Sequence, residues 1–192
     1  MKSLAILTGL SALAMAAPAA AQKASPAAYK ATVEFADCVL AKSPADAQAV
    51  LASTPGTGDE KAAIGKVAGT TGCSAKPKND VLRGALAERV YLATYTAAPA
   101  ERVGDLPPFT GSGNVALVNW DVTRCAAERD PVGADMLVRS EPRSAGEGEA
   151  LKRFVSSLSS CLPGGATLGF GREVMRGLVA EGLIAVRKAG TN

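Results

Sequence analysis

Apolar residues in the second half of this chain recur three and four positions apart, the period of one helix face. Leu151, Phe154, Val155 and Leu158 form one such stripe, and Met175, Leu178, Val179, Leu183 and Val186 a broader one. The first half carries weaker versions of both: Ala63, Ile64, Val67 and Ala68, then Leu82, Ala85, Leu86, Val90 and Ala93. No stretch alternates convincingly. Val115 to Val118 is the one short β-like run, and it continues into a helical pattern. The pattern predicts an all-α protein.

The breaks between stripes occur in matched places. Ser43-Pro44 and Asp130-Pro131 each put a capping side chain before a proline at the first helical position, where the missing N–H costs nothing. Pro55 and Pro142 end those helices about three turns later. Thr57-Gly58-Asp59-Glu60 and Ser144-Ala145-Gly146-Glu147 are capping boxes that start the next ones. Cys38, Pro44, Pro55 and Cys73 are separated by 6, 11 and 18 residues; Cys125, Pro131, Pro142 and Cys161 are separated by 6, 11 and 19. Arg83-Gly84-Ala85-Leu86-Ala87-Glu88 follows the first set, and Arg176-Gly177-Leu178-Val179-Ala180-Glu181 follows the second. This register reads as a tandem duplication. Four helices are expected over 28–42, 44–53, 59–72 and 80–97, and four more over 114–128, 131–140, 147–161 and 170–187. The expected organisation is a helical repeat over 22–98, a linker over 99–113 and a second repeat over 114–192. The two repeats would pack as one compact domain about a pseudo-twofold axis.

The N-terminus follows another rule. Lys2 precedes an apolar run from Leu4 to Met15, Pro18 breaks it, and Ala19-Ala20-Ala21 before Gln22 fits a cleavage site. Residues 1–21 read as a cleaved signal peptide, the apolar run being too short to span a bilayer comfortably. No later run approaches the length of a membrane-spanning helix. The Ala-rich leader and the Ala, Gly and Arg usage suggest a Gram-negative bacterium of high genomic GC content, and so a periplasmic or secreted protein.

Composition then removes most chemistry. The 192 residues contain no histidine, which excludes Ser-His-Asp triads, Cys-His dyads, HExxH zinc sites and imidazole switches. The 21 basic and 18 acidic side chains are spread along the chain, so no nucleic-acid footprint is expected. The four cysteines of an exported chain are expected to be disulfide-bonded. The duplication favours Cys38–Cys73 and Cys125–Cys161, although Cys38–Cys125 with Cys73–Cys161 also respects the symmetry. With no CxxC and no histidine, redox catalysis and metal binding are disfavoured.

The RGxxAE segments are the most informative motif. A mid-helix glycine costs about 1 kcal/mol relative to alanine, and its presence in both halves calls for close helix approach. One reading has the two helices cross at Gly84 and Gly177, so that Arg83 meets Glu181 and Arg176 meets Glu88. The favoured reading is that these charges pair within their own half or are solvated. Facing carboxylates could do acid–base work, but adjacent arginines should keep them ionised, which favours ion pairs.

Weaker candidates are read structurally. Gly111-Ser112-Gly113-Asn114 lacks the lysine of a phosphate loop and reads as flexible linker. Pro163-Gly164-Gly165 through Gly169-Phe170-Gly171-Arg172 reads as a mobile inserted loop. Trp120, the single tryptophan, is expected to pack in the core, and Ser156, Ser157, Ser159 and Ser160 to form a polar helix face. No catalytic, cofactor-binding or metal-binding residue is assigned. The expected role is a non-enzymatic binding or structural module whose partner is an envelope protein or small molecule. The alternative is a histidine-free envelope enzyme, such as a glycan-cleaving one, working through Asp and Glu.

Overall fold

In the computed structural model, residues 25–74, 77–104, 106–162 and 168–190 are described; the leader over 1–21 and much of the inserted loop lie outside them. Among the described residues the chain is all-helical, with eight α-helices and no strand. They are α1 (Pro26–Lys42), α2 (Pro44–Ala52), α3 (Gly58–Ala68), α4 (Asn79–Thr94), α5 (Val118–Arg129), α6 (Pro131–Arg139), α7 (Ala145–Ser160) and α8 (Arg172–Ala189). A single 3-10 turn, Val115–Leu117, leads into α5.

Local chemistry explains most of the boundaries. Pro44 and Pro131 open α2 and α6, and the Asp130 carboxylate accepts from the Gly133 N–H at 2.8 Å. Ser43 departs from its expected role: its side chain makes no capping bond. Thr57 and Ser144 cap α3 and α7 by accepting from the N–H groups of Glu60 and Glu147. The two glutamates reach back to the N–H groups of Gly56 and Arg143, one residue before the caps.

Three boundaries differ from expectation. α3 stops at Ala68, because Gly69 is its C-cap and Gly72 turns the chain through φ +78°, a left-handed conformation suited to glycine. α4 stops at Thr94, where tertiary contacts take over the next residue: the Tyr95 ring lies under Arg187 and its carbonyl accepts from Arg139. Before α5, the expected first helical turn is a 3-10 turn with Val115 89% exposed.

α8 is the central element, packed most extensively on α4 and α5. Two main apolar clusters flank it, and a small third one joins Tyr29 and Val81. Phe35, Ala36, Val39, Ala47, Val50 and Val67 join Leu82, Ala85 and Leu86 of α4 in the smaller cluster. The larger cluster gathers Val122, Ala126, Leu137, Val138, Phe154, Leu158, Val179 and Leu183, together with Tyr91 of α4. The halves are unequal: α7 buries Glu147, Ala150, Phe154 and Leu158, whereas α3 buries only Val67. Val155, expected in the α7 stripe, is 51% exposed, because it lies at the edge of the face that meets α5 and α6.

Cys38–Cys73 and Cys125–Cys161 are the disulfides, spanning 35 and 36 residues. Closing a loop of that size stabilises the folded chain by about 3–4 kcal/mol in the chain-entropy picture. The bonds point to an oxidising, extracytoplasmic environment. Among the described residues, no helix is long and apolar enough to cross a membrane.

Residues 163–167 are not among the described residues. The 111–114 segment, expected to be flexible, is tied to α5: the Ser112 N–H and hydroxyl both donate to Asp121, at 2.8 and 2.6 Å.

Candidate functional site

The site is built around the contact of α4 with α8. A Cβ placed on Gly84 would lie 2.8 Å from the Gly177 Cα, and one on Gly177 would lie closer still to the Gly84 Cα. Real Cβ atoms do not approach backbone this closely, so only glycine at both positions permits the crossing. The arginine preceding each glycine and the glutamate five residues beyond that arginine then reach across it. Arg83 donates to Glu181 Oε2 through Nε at 2.8 Å. Arg176 donates to Glu88 through Nη2 at 2.9 Å and Nε at 3.3 Å.

The rest of each guanidinium is satisfied by groups that the sequence reading did not connect to it. Arg83 Nη1 donates to the carbonyls of Val50 and Ser53 and to Glu60, and Nη2 to the Leu51 carbonyl. Arg176 Nη1 donates to the Leu137 carbonyl and to Glu147, and Nη2 to the Val138 carbonyl. Each arginine thus occupies the C-terminal end of a short helix, where orphan carbonyls and the negative end of the helix dipole favour a cation. It also takes the second oxygen of a capping-box glutamate. The signal was present in the sequence, since Glu60 and Glu147 stand in the same motif position in both halves. Their second partner is set by tertiary packing.

The two ion pairs differ in their cover. Arg176 and Glu88 side chains are 2% and 5% exposed. The Tyr29 hydroxyl of α1 donates to Glu88 Oε2. Burial and the Glu88 carboxylate push the Tyr29 phenol far above its usual range, so it remains a donor. Burial opposes the Arg176 charge, but the bonds to Glu88 outweigh it and hold the guanidinium above its usual value.

Arg83 and Glu181 are more open, at 9% and 14%, and line a cavity of about 540 Å³ between α2, α4, α5 and α8. Leu51, Pro55, Val90, Leu117, Leu178 and Ile184 supply its apolar wall. Trp120 also lines it and is absent from both apolar clusters, so the expected core role is replaced by a place on the cavity wall. The reason is the 3-10 turn before α5: Val115 and Val118 are exposed and do not enclose the indole. The buried Trp120 Nε1–H has no hydrogen-bond partner. It lies close enough to Glu181 to favour the ionised carboxylate without reaching hydrogen-bond geometry. Burial nevertheless pushes Glu181 above the usual carboxylate value, against the pull of Arg83 and Trp120 and with help from Glu60. This corrects the expectation that the adjacent arginine would dominate: desolvation of the charged form is the larger effect here.

A third polar group links α4 to α6. The Tyr91 hydroxyl donates to Asp135 at 2.5 Å, and Arg139 donates to both Asp135 oxygens. The serines of α7 are exposed or half-buried, and Ser156, Ser159 and Ser160 bond carbonyls of their own helix. Among the described residues no group of three or more His, Cys, Asp or Glu side chains is placed to hold a metal ion.

The chain matches no protein-family model, no curated protein and no solved structure.

Proposed function

We propose that this is an exported, non-enzymatic binding protein that holds a small molecule in the cavity between α2, α4, α5 and α8. The observation that carries the reading is the cavity itself: about 540 Å³, mostly apolar, with the lone tryptophan and a partly open ion pair on its wall. Ligand pockets have this size and this mixture of apolar wall with a few placed polar groups. The compartment is the periplasm or the extracellular space, with residues 1–21 removed on export.

The protein is built as two duplicated units, 22–98 and 114–192, packed about a pseudo-twofold axis near Gly84 and Gly177. Support comes from the pairing of contacts: two disulfides whose spans differ by one residue, two arginines on matching helix ends, and two capping-box glutamates behind them. The cavity then lies between units, and the linker over 99–113 connects them.

Binding is tested by titrating small apolar molecules while following Trp120 emission and the melting temperature. A saturable emission change with a rise in melting temperature is expected. Emission and melting temperature that stay flat across such a panel overturn the reading.

One observation favours a second reading, acid–base catalysis by Glu181, whose carboxyl is raised by burial inside a cavity. It requires a second carboxylate in the cleft. The other acid on the wall, Asp121, is engaged by Ser112. Turnover of aryl glycosides that disappears in Glu181→Gln would select this reading over the first.

A further inference from the structure

Resting on the binding reading above, we infer that the cavity takes a single-chain amphiphile with an anionic head. Its apolar tail lies between α2, α4, α5 and α8, and its carboxylate sits at the mouth beside Arg124 and Lys188. The α8 residues on the cavity wall change in order along the helix. Leu178 is buried, Glu181 lies behind Arg83 with 14% of its side chain exposed, and Ala185 and Lys188 are exposed. From Leu178 to Lys188 the helix rises about 15 Å. The cavity therefore has a covered inner end and an open outer one. Arg124 of α5 stands toward the outer end. Its Cα would lie 3.1 Å from a Cβ placed on Gly182, less than a turn from Ala185, and its side chain is 61% exposed.

The five charged side chains on the wall, Arg83, Asp121, Arg124, Glu181 and Lys188, divide in the same way. Glu181 and Arg83 are joined to each other at the inner end, and the remaining Arg83 donors go to Glu60 and backbone carbonyls. A charged head gains nothing there, whereas a tail meets Leu51, Val90, Leu178 and Ile184. Asp121 is turned to the linker, accepting two bonds from Ser112. The mouth is left to Arg124 and Lys188. Arg124 reaches Glu128 at 3.7 Å along an exposed helix face, a contact worth little in water. Lys188 is exposed, and an ammonium on a flexible stem can turn to a carboxylate that the cavity holds in place. An anionic head held at the mouth by its tail gains from both cations. A cationic head is repelled by both, and a neutral one gains from neither.

Three probes with one alkyl tail separate these features: decanoate, decanol and decyltrimethylammonium, titrated calorimetrically into the full chain at neutral pH, below the concentrations at which they aggregate. Each exposed ion pair is worth about a two- to fivefold change in affinity. Decanoate is therefore expected to bind about tenfold more tightly than decyltrimethylammonium, and added salt should narrow that gap. The double variant Arg124→Gln, Lys188→Gln, at two exposed positions, should weaken decanoate about tenfold and leave decanol unchanged. Ala185→Phe, at an exposed position on the cavity rim, should weaken all three and so place their tails in the cavity.

Binding of decyltrimethylammonium as tight as that of decanoate, or tighter, overturns the anionic class while leaving the binding reading intact. Decanoate affinity that is unchanged in the double variant overturns the placing of the head in the same way. Failure of all three to bind overturns both. Binding that Ala185→Phe leaves untouched also overturns both, because the tails then lie outside the cavity.

Discussion

The two ion pairs that cross between α4 and α8 use the same residues in the same order, yet Arg176 and Glu88 are only 2% and 5% exposed beside a cavity of about 390 Å³ that Tyr29 helps to line, whereas Arg83 and Glu181 are 9% and 14% exposed on a cavity of about 540 Å³. Arg176 and Glu88 lie under the first turn of α1, where Ser25 caps the helix, Pro26 opens it and Tyr29 closes over the glutamate. The stretch before α5 does not do this. It enters through a 3-10 turn, presents Val115 to solvent and leaves Trp120 beside Glu181 without a hydrogen bond. A nearly fully buried ion pair is a structural rivet, its guanidinium held also by Glu147 and the Leu137 and Val138 carbonyls and its carboxylate by Tyr29. A partly open one beside an apolar wall is where the proposed ligand would be held. The difference arises from one helical turn.

The largest test of this comparison removes the arginines. Arg176→Met strands Glu88 and Glu147 in the interior and should cost about 3–5 kcal/mol in urea unfolding. Arg83→Met should cost less, about 1–3 kcal/mol, because water in the cavity can rehydrate Glu181. Equal losses would erase the distinction between sealed and open pairs. Next in size is the crossing itself. Gly177→Ala and Gly84→Ala should each destabilise by about 1–3 kcal/mol through overpacking, Gly177→Ala more, since its added Cβ meets the facing backbone more closely. A neutral result at both positions would mean that the helices do not approach at these glycines.

A smaller contrast lies in the caps of α2 and α6. Asp130→Ala should cost about 1–2 kcal/mol at pH 7, whereas Ser43→Ala should cost almost nothing, its side chain making no capping bond. Burial of Asp130 works against its charge, but Arg153 and the Gly133 N–H hold its carboxyl below the ordinary value. Its contribution is therefore complete above that ordinary value and disappears as pH falls through the lower, folded one. Glu181 has the opposite sign: its folded value is raised, so stability is greatest below the ordinary carboxylate value and declines as pH rises through the raised one. Glu181→Gln should remove that decline from a pH series of unfolding midpoints. The smallest effects are expected at Gly65 and Gly148, helical positions where an added Cβ meets nothing within 4 Å. Alanine there should stabilise by about 0.4–1 kcal/mol, opposite in sign to the crossing glycines, as melting temperatures would record.

Much of the fold was legible because its signals are local. Pro44, Pro131 and the two capping boxes start helices by satisfying or omitting N–H groups within one turn, and no distant partner is needed. The ends were less legible where distant contacts intervene. Tyr95 leaves α4 to meet Arg139 and Arg187, residues far along the chain. Trp120 was misplaced for a related reason. The pattern Val115, Leu117, Val118 reads as a packed helix face, but after the 3-10 turn Val115 and Val118 are exposed and only Leu117 lines the cavity with Trp120.

The sequence by itself determined the class of element, the positions of most helix starts, and the matched occurrence of glycine, arginine and glutamate in the two RGxxAE segments. These follow from helical periodicity, capping and the cost of a mid-helix glycine, which act over a few residues. Tertiary structure alone decided that the capping-box glutamates would reach the arginines, that burial would outweigh Arg83 at Glu181, and that the cavity would open on the Trp120 side. Each depends on how much solvent remains beside a charge or donor. That quantity is set by which helices cover it, and no local pattern in the chain records it.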